Sequence, residues 1–269
     1  VTLHVEQRGS GPDLVLLHGW ALHGGLWGNW LDALEDSYRL HLVDLPGHGR
    51  SDWSPELRSL EQLAAAVRPG IPTGAVVLGW SLGGLLALEI ADRWPQALRA
   101  LVLVATTPRF VQAEDWEPGV PPQVLLDFAR SLQTDHARTV QNFLALQTRG
   151  DEQAAATLRL MRRQLESHGP PDPRALATGL EILGSADLRS RIGAIAIPAL
   201  VAAGENDRLT PPGAARALAS ALPQARLALM PGCAHAPFLS HPDDFLAELR
   251  PFLDRCTASA AQGRQGNAA

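Results

Sequence analysis

Lysine does not occur in this sequence of 269 residues, so all 23 basic side chains are arginine. A skewed base composition accounts for that, and no function is read into it. Cysteine is nearly absent. Cys233 and Cys256 are the only two, too few for a disulfide framework or a metal-ligand cluster. No apolar run approaches the roughly 18 residues that cross a bilayer, which argues against a membrane helix. The stretch Val1-Thr2-Leu3-His4-Val5-Glu6 has neither the basic nor the apolar segment of a secretory signal, so a cytoplasmic location is expected. Positive charge is in short supply as well. The net charge of -5 argues against a nucleic-acid partner.

What is present is an ordinary globular composition, 46% hydrophobic and 19% charged. The length allows one large core, or a core with a smaller insertion. Short apolar runs at residues 14–17, 40–43, 76–78, 100–104, 199–203 and 226–230 have the character of strands buried on both faces. Residues 3–7 suit an edge strand. Helical patterns at 27–34, 60–67, 82–90 and 243–253 alternate with these runs, which indicates a mostly parallel sheet covered by helices on both faces. Between 109 and 186 no buried strand run appears. Helical segments at 124–132, 137–148, 152–165 and 174–183 suggest an all-helical lid over the C-terminal edge of the sheet, where open α/β sheets bind ligands. The expected organisation is therefore a core of residues 1–108 and 187–256, a lid of 109–186, and a tail of 257–269 without regular structure.

The chemistry is signalled by Val76-Val77-Leu78-Gly79-Trp80-Ser81-Leu82-Gly83-Gly84. A strand runs into Gly-x-Ser-x-Gly and a helix follows, the context of a nucleophile elbow. Small residues flank the serine because the turn is tight. The helix N-terminus beneath it favours an anionic intermediate. A serine hydroxyl needs a base, and in α/β-hydrolases the order along the chain is serine, acid, histidine. His235 fits the base, in the small-residue loop Pro231-Gly232-Cys233-Ala234-His235-Ala236-Pro237 after the 226–230 run. For the acid, Gly204-Glu205-Asn206-Asp207-Arg208-Leu209-Thr210-Pro211 offers Glu205 and Asp207. Asp207 is chosen because Gly-x-x-Asp-x-x-x-Pro is the acid loop of many hydrolases of this fold. It would fix the imidazole tautomer. The oxyanion would be held by the backbone N–H of Leu82 and that of Trp20, in His18-Gly19-Trp20 after the early strand. His18, His48 and His241 are expected to be structural, with His18 ordering the oxyanion loop, and Cys233 is expected to pack.

Several of these stretches, with Leu42-Val43-Asp44-Leu45-Pro46-Gly47-His48-Gly49-Arg50-Ser51, Phe143-Leu144-Ala145-Leu146-Gln147-Thr148, Gly179-Leu180-Glu181-Ile182-Leu183 and Ala234-His235-Ala236-Pro237-Phe238, resemble the BioH family. These are α/β-hydrolases that act as pimeloyl-acyl-carrier-protein methyl ester carboxylesterases in biotin synthesis. The resemblance runs from about residue 14 to 252, and the tryptophans and the Phe-Leu-Ala-Leu-Gln run are its selective parts. It implies an esterase without metal or organic cofactor, cleaving a methyl ester on a chain carried by acyl carrier protein; a monomer is expected. Trp20, Leu82 and Phe143, Leu144, Ala145, Leu146 and Gln147 would then line the acyl channel.

An acidic carrier protein calls for a basic docking surface. Residues 130–163 hold six arginines against three carboxylates, reversing the sign of the whole chain. Arg159, Arg162 and Arg163 share a helix face by their spacing. With Arg138 they are the expected docking residues. Asn142 and Ala155 stand where the family has further arginines. A broad short-chain esterase and a carbon–carbon bond hydrolase with the same triad are the alternatives.

Overall fold

The protein is described by a computed structural model of residues 1–265, with side chains through Ala258. Seven strands, β1 (Val5–Arg8), β2 (Asp13–Leu17), β3 (Arg39–Val43), β4 (Ala75–Trp80), β5 (Leu98–Val104), β6 (Ala199–Gly204) and β7 (Ala225–Met230), form one sheet in the order β1-β3-β2-β4-β5-β6-β7. Only β1 runs antiparallel, against β3. All other pairings are parallel.

Both faces of this sheet are covered, which is why its central strands are apolar without a break. Successive side chains on a strand point to opposite faces, and the chain sorts them accordingly. Val15, Leu17, Val77, Leu101, Leu103 and Val201 enter one core. Leu14, Leu16, Val76, Leu78, Val102 and Leu200 enter the other. The flanking helices are α1 (Asp32–Glu35), α2 (Leu60–Val67), α3 (Leu82–Arg93), α4 (Pro122–Thr134), α5 (His136–Gln147), α6 (Ala154–Ser167), α7 (Pro173–Ser185), α8 (Pro212–Ala221), α9 (Pro237–Ser240) and α10 (Pro242–Gln265).

Helices α4 to α7 all lie between β5 and β6. The chain enters and leaves this insertion side by side, through a bridge between Arg109 and Asp187. The Arg109 guanidinium donates to Asp187 at 2.6 Å, and Arg189 holds the same carboxylate. Those contacts, Arg189 foremost, keep the Asp187 carboxyl well below the usual carboxylate range. Contacts from the insertion reach the loops at the C-terminal ends of the strands: Trp20 Nε1 donates to Leu176 O, His235 N to Gln147 O and Glu152 N to Gly232 O.

Two local expectations are corrected, and one helix is added. Residues 27–34 are not one helix but two 3-10 turns, Gly24–Trp27 and Asn29–Leu31, leading into α1. Gly28 at φ +81° separates them. Helix α8 was not read from the sequence, because two of the three residues on its buried face, Ala214 and Ala215 beside Leu218, are alanines. The tail expected without regular structure instead continues α10 to Gln265, in keeping with the high helix propensity of its alanines. Residues 266–269 of that tail lie outside the described residues.

Candidate active site

Ser81 sits between β4 and α3 with φ +55° and ψ -117°. A side chain held in that region costs roughly 1–3 kcal/mol and persists only when its surroundings fix it. They do so here. Ser81 N donates to Val104 O at 2.9 Å, and Ser81 O accepts from Gly84 N, Leu85 N and the Thr106 hydroxyl. The turn also needs its glycines. A Cβ at Gly83 would stand 2.1 Å from Leu17 O, and one at Gly79 2.4 Å from Gly83 O. Among the described residues, the non-glycine positions with positive φ are Ala21, Ser81 and Ala105. They follow β2, β4 and β5, so the backbone strain collects at one edge of the sheet.

His235 and Asp207 arrive at that edge from the loops after β7 and β6. His235 Nδ1 and Asp207 Oδ2 are 2.8 Å apart, and both side chains are buried. Asp207 is fully engaged. Its Oδ1 accepts from Leu209 N at 2.8 Å and Thr210 N at 3.0 Å, and its Oδ2 also accepts from the Thr210 hydroxyl at 2.6 Å. This leaves the carboxylate one orientation, facing the imidazole. The His235 backbone is held by Trp80 Nε1, which donates to His235 O at 2.8 Å. Its neighbour Ala234 donates to the buried Asp151 carboxylate at 2.8 Å. His235 Nε2 is buried with no hydrogen-bond partner. Thr210, Thr106 and Asp151 were missed by sequence reasoning. Only the Asp-x-x-Thr spacing of Asp207 and Thr210 offered a signal.

Among the described residues, neither Trp20 N nor Leu82 N donates a hydrogen bond, so both N–H groups remain available. The Trp20 loop is braced by histidines. His18 donates from Nδ1 to Gly19 O at 2.7 Å and accepts Leu45 N at Nε2 at 2.9 Å. His48 donates from Nδ1 to Pro46 O and accepts Ala21 N. Burial, and then the neighbouring His48, push His18 down to about 3, and burial takes His48 to about 4. Both are neutral braces. Burial works to raise the Asp44 carboxyl, yet the backbone N–H groups of Arg50 and Gly24 hold it below its ordinary value. Cys233 is buried beside His235, and burial pushes its thiol up to about 12, consistent with packing.

The run 143–147 lies on α5 and cannot present five consecutive residues to one side. Phe143 and Gln147 turn inward, and Phe143 meets Trp20 edge-on at 4.8 Å between ring centres. Leu146 is half-buried, and Leu144 is taken up by the core on the other face of the sheet. Ala145 is exposed, which corrects its expected place in a channel wall. The Gln147 amide is buried, and neither its Oε1 nor its Nε2 has a partner. Arg138, Arg159, Arg162 and Arg163 are all exposed on α5 and α6. The Arg162 guanidinium reaches Gln141 at 2.8 Å, joining the two helices.

A family model described as alpha/beta hydrolase fold matches residues 12–242. The chain is 43% identical over 246 residues to the pimeloyl-acyl-carrier-protein methyl ester esterase of Nitrosomonas europaea, covering 91% of this chain and 97% of that one. It is also 43% identical over 263 residues to the protein so named in Stenotrophomonas maltophilia, covering 98% and 100%. Among solved structures, an esterase from Exiguobacterium antarcticum aligns with a TM-score of 0.85 at 20% identity, over 94% of this chain and 95% of that one. An enol-lactonase from Burkholderia xenovorans aligns at 0.80 and 24% identity, over 93% and 96%. These two share the fold. With an elbow serine, an Asp–His pair and near-complete coverage of its curated relatives, the chain belongs to the pimeloyl-acyl-carrier-protein methyl ester esterase family of the α/β-hydrolases.

Proposed function

We propose that this protein is a serine carboxylesterase that hydrolyses the methyl ester of a pimeloyl chain carried on acyl carrier protein, acting in biotin synthesis. The observation that carries the chemistry is the buried Asp207–His235 pair, whose Nε2 has no partner, at the edge where the strained Ser81 turn stands. The 43% identity to esterases of that name supports the substrate.

In the reaction, Ser81 Oγ attacks the ester carbonyl while its proton passes to His235 Nε2. Asp207 keeps the other imidazole proton on Nδ1 and stabilises the imidazolium. The N–H groups of Trp20 and Leu82 receive the oxyanion. The tetrahedral intermediate then breaks its bond to the methoxy oxygen, which takes the proton from Nε2 and leaves as methanol. Water adds to the acyl-enzyme, giving its proton to His235. Collapse returns that proton to Ser81 and frees the carboxylate. The chain supplies nucleophile, base and electrostatic stabilisation from its own groups. Arg138, Arg159, Arg162 and Arg163 would meet the acidic carrier. The protein would work as a cytoplasmic monomer.

Methanol release from pimeloyl methyl ester on carrier protein tests this reading when the parent is compared with Ser81→Ala. The variant should fold normally and lose turnover. Activity within about tenfold of the parent would mean that another group is the nucleophile.

A further inference from the structure

The loop that carries His235 takes its hydrogen-bond acceptors from the lid. The N–H groups of Ala234 and His235 donate to Asp151 Oδ2 at 2.8 Å and to Gln147 O at 3.1 Å. Gly232 O in turn accepts Glu152 N at 3.0 Å. Gln147 ends α5, and Asp151 and Glu152 lie in the turn before α6. The strand end that leads to Asp207 closes on the loop from the other side. Asn206 N donates to Cys233 O at 2.9 Å, and a Cβ at Gly204 would stand 2.2 Å from Ala234 O. The histidine loop is thus clamped between the lid and the acid loop.

Of the three lid contacts, only that of Asp151 is made by a side chain. The residue is buried, and its Oδ1 accepts Gln153 N at 2.7 Å. Capping the start of α6 needs Oδ1 alone. Oδ2 is left for the N–H beside His235, in a charge-assisted bond about twice as strong as a neutral one. Ala234 is itself buried. Without its acceptor, that N–H would be unpaired and the loop would shift to satisfy it. The shift would fall on the residue whose Nε2 must take the Ser81 proton, where a displacement of about 1 Å can cost about a hundredfold.

We propose that Asp151 is a positioning residue for His235: from the lid, its carboxylate fixes the peptide that precedes the catalytic base. The inference rests on the esterase reading above. It gives the lid a part in aligning the base, separate from any contact with the substrate. Acylation and deacylation both use Nε2, so a misplaced imidazole slows both steps and leaves KM little changed.

Two substitutions separate this role from that of a helix cap. In Asp151→Ser the hydroxyl can still cap Gln153 N but is too short to reach Ala234 N. In Asp151→Asn the amide oxygen can stay on Ala234 N while its nitrogen turns toward Gln153, which is exposed and can pair with water. Melting temperature checks folding, and Asp151→Thr, with a methyl to fill the space, stands in should the serine variant not fold. With p-nitrophenyl acetate, the serine variant should lose about tenfold to a hundredfold in kcat with KM within about twofold. The asparagine variant should recover most of that loss. The proton on His235 Nδ1, bonded to Asp207, should shift or broaden in the downfield ¹H spectrum of the serine variant and return in asparagine. A folded serine variant with kcat within about threefold of the parent, or equal losses in serine and asparagine, would overturn the inference and leave the esterase reading standing. A parent without turnover that Ser81→Ala removes would overturn both.

Discussion

Replacing Asp207 by Asn changes one atom and has a direction that the hydrogen bonds dictate. Oδ1 of Asp207 accepts two backbone N–H groups, from Leu209 and Thr210. An amide nitrogen placed there would face two donors, leaving buried groups unpaired at about 1–3 kcal/mol each. The nitrogen must therefore take the Oδ2 position, opposite His235 Nδ1, while the Thr210 hydroxyl turns to accept from it. In that position the amide donates to Nδ1 and forces the imidazole proton onto Nε2, the atom meant to take the Ser81 proton. The same exchange in serine proteases costs about 10⁴-fold in kcat, equivalent to about 5.4 kcal/mol of barrier. The expected outcome is a loss of that order with p-nitrophenyl acetate and a melting temperature close to the parent's. If kcat of the folded variant stays within about tenfold of the parent, Asp207 does not set the tautomer and the assignment of the acid is wrong.

Charge reversal at Arg138 and Arg159, exposed on α5 and α6, should lower kcat/KM for the carrier-bound ester by about tenfold or more at low salt and spare small aryl esters. Equal loss on both substrates would make these arginines structural. Acid should destabilise the fold through its neutral braces. His18 and His48 titrate at about 3 and about 4 in the folded chain but near 6.5 when unfolded. Below about pH 6.5 the unfolded chain therefore binds protons that the folded one refuses, so their contribution is complete above that pH and is lost on acidification. The loss is about 2 kcal/mol for each by pH 5. Urea unfolding at pH 7.5 and pH 5 measures it, and equal stability at both would contradict the brace.

The sheet was legible because strands buried on both faces leave runs such as Leu14-Val15-Leu16-Leu17 that few other elements produce. The reaction class was legible because Gly79, Ser81 and Gly83 satisfy a steric demand that can be stated before any coordinates exist. Other features are set by contacts distant in sequence. Thr210 was hinted at only by its Asp-x-x-Thr spacing from Asp207, while Asp151 comes to Ala234 from 83 positions away. Helix α8 was hidden because its buried face is mostly alanine. Ala145 was misplaced because a motif read as a string does not respect the helix repeat, which turns it outward while Phe143 and Gln147 face in.

The central claim joins a reaction to a carried substrate, and one comparison tests both. Methanol release from pimeloyl methyl ester on acyl carrier protein should exceed, in kcat/KM, the turnover of the same ester free of the carrier and of short aryl esters. Equal or faster turnover of the aryl esters, with no gain from the carrier, would contradict it.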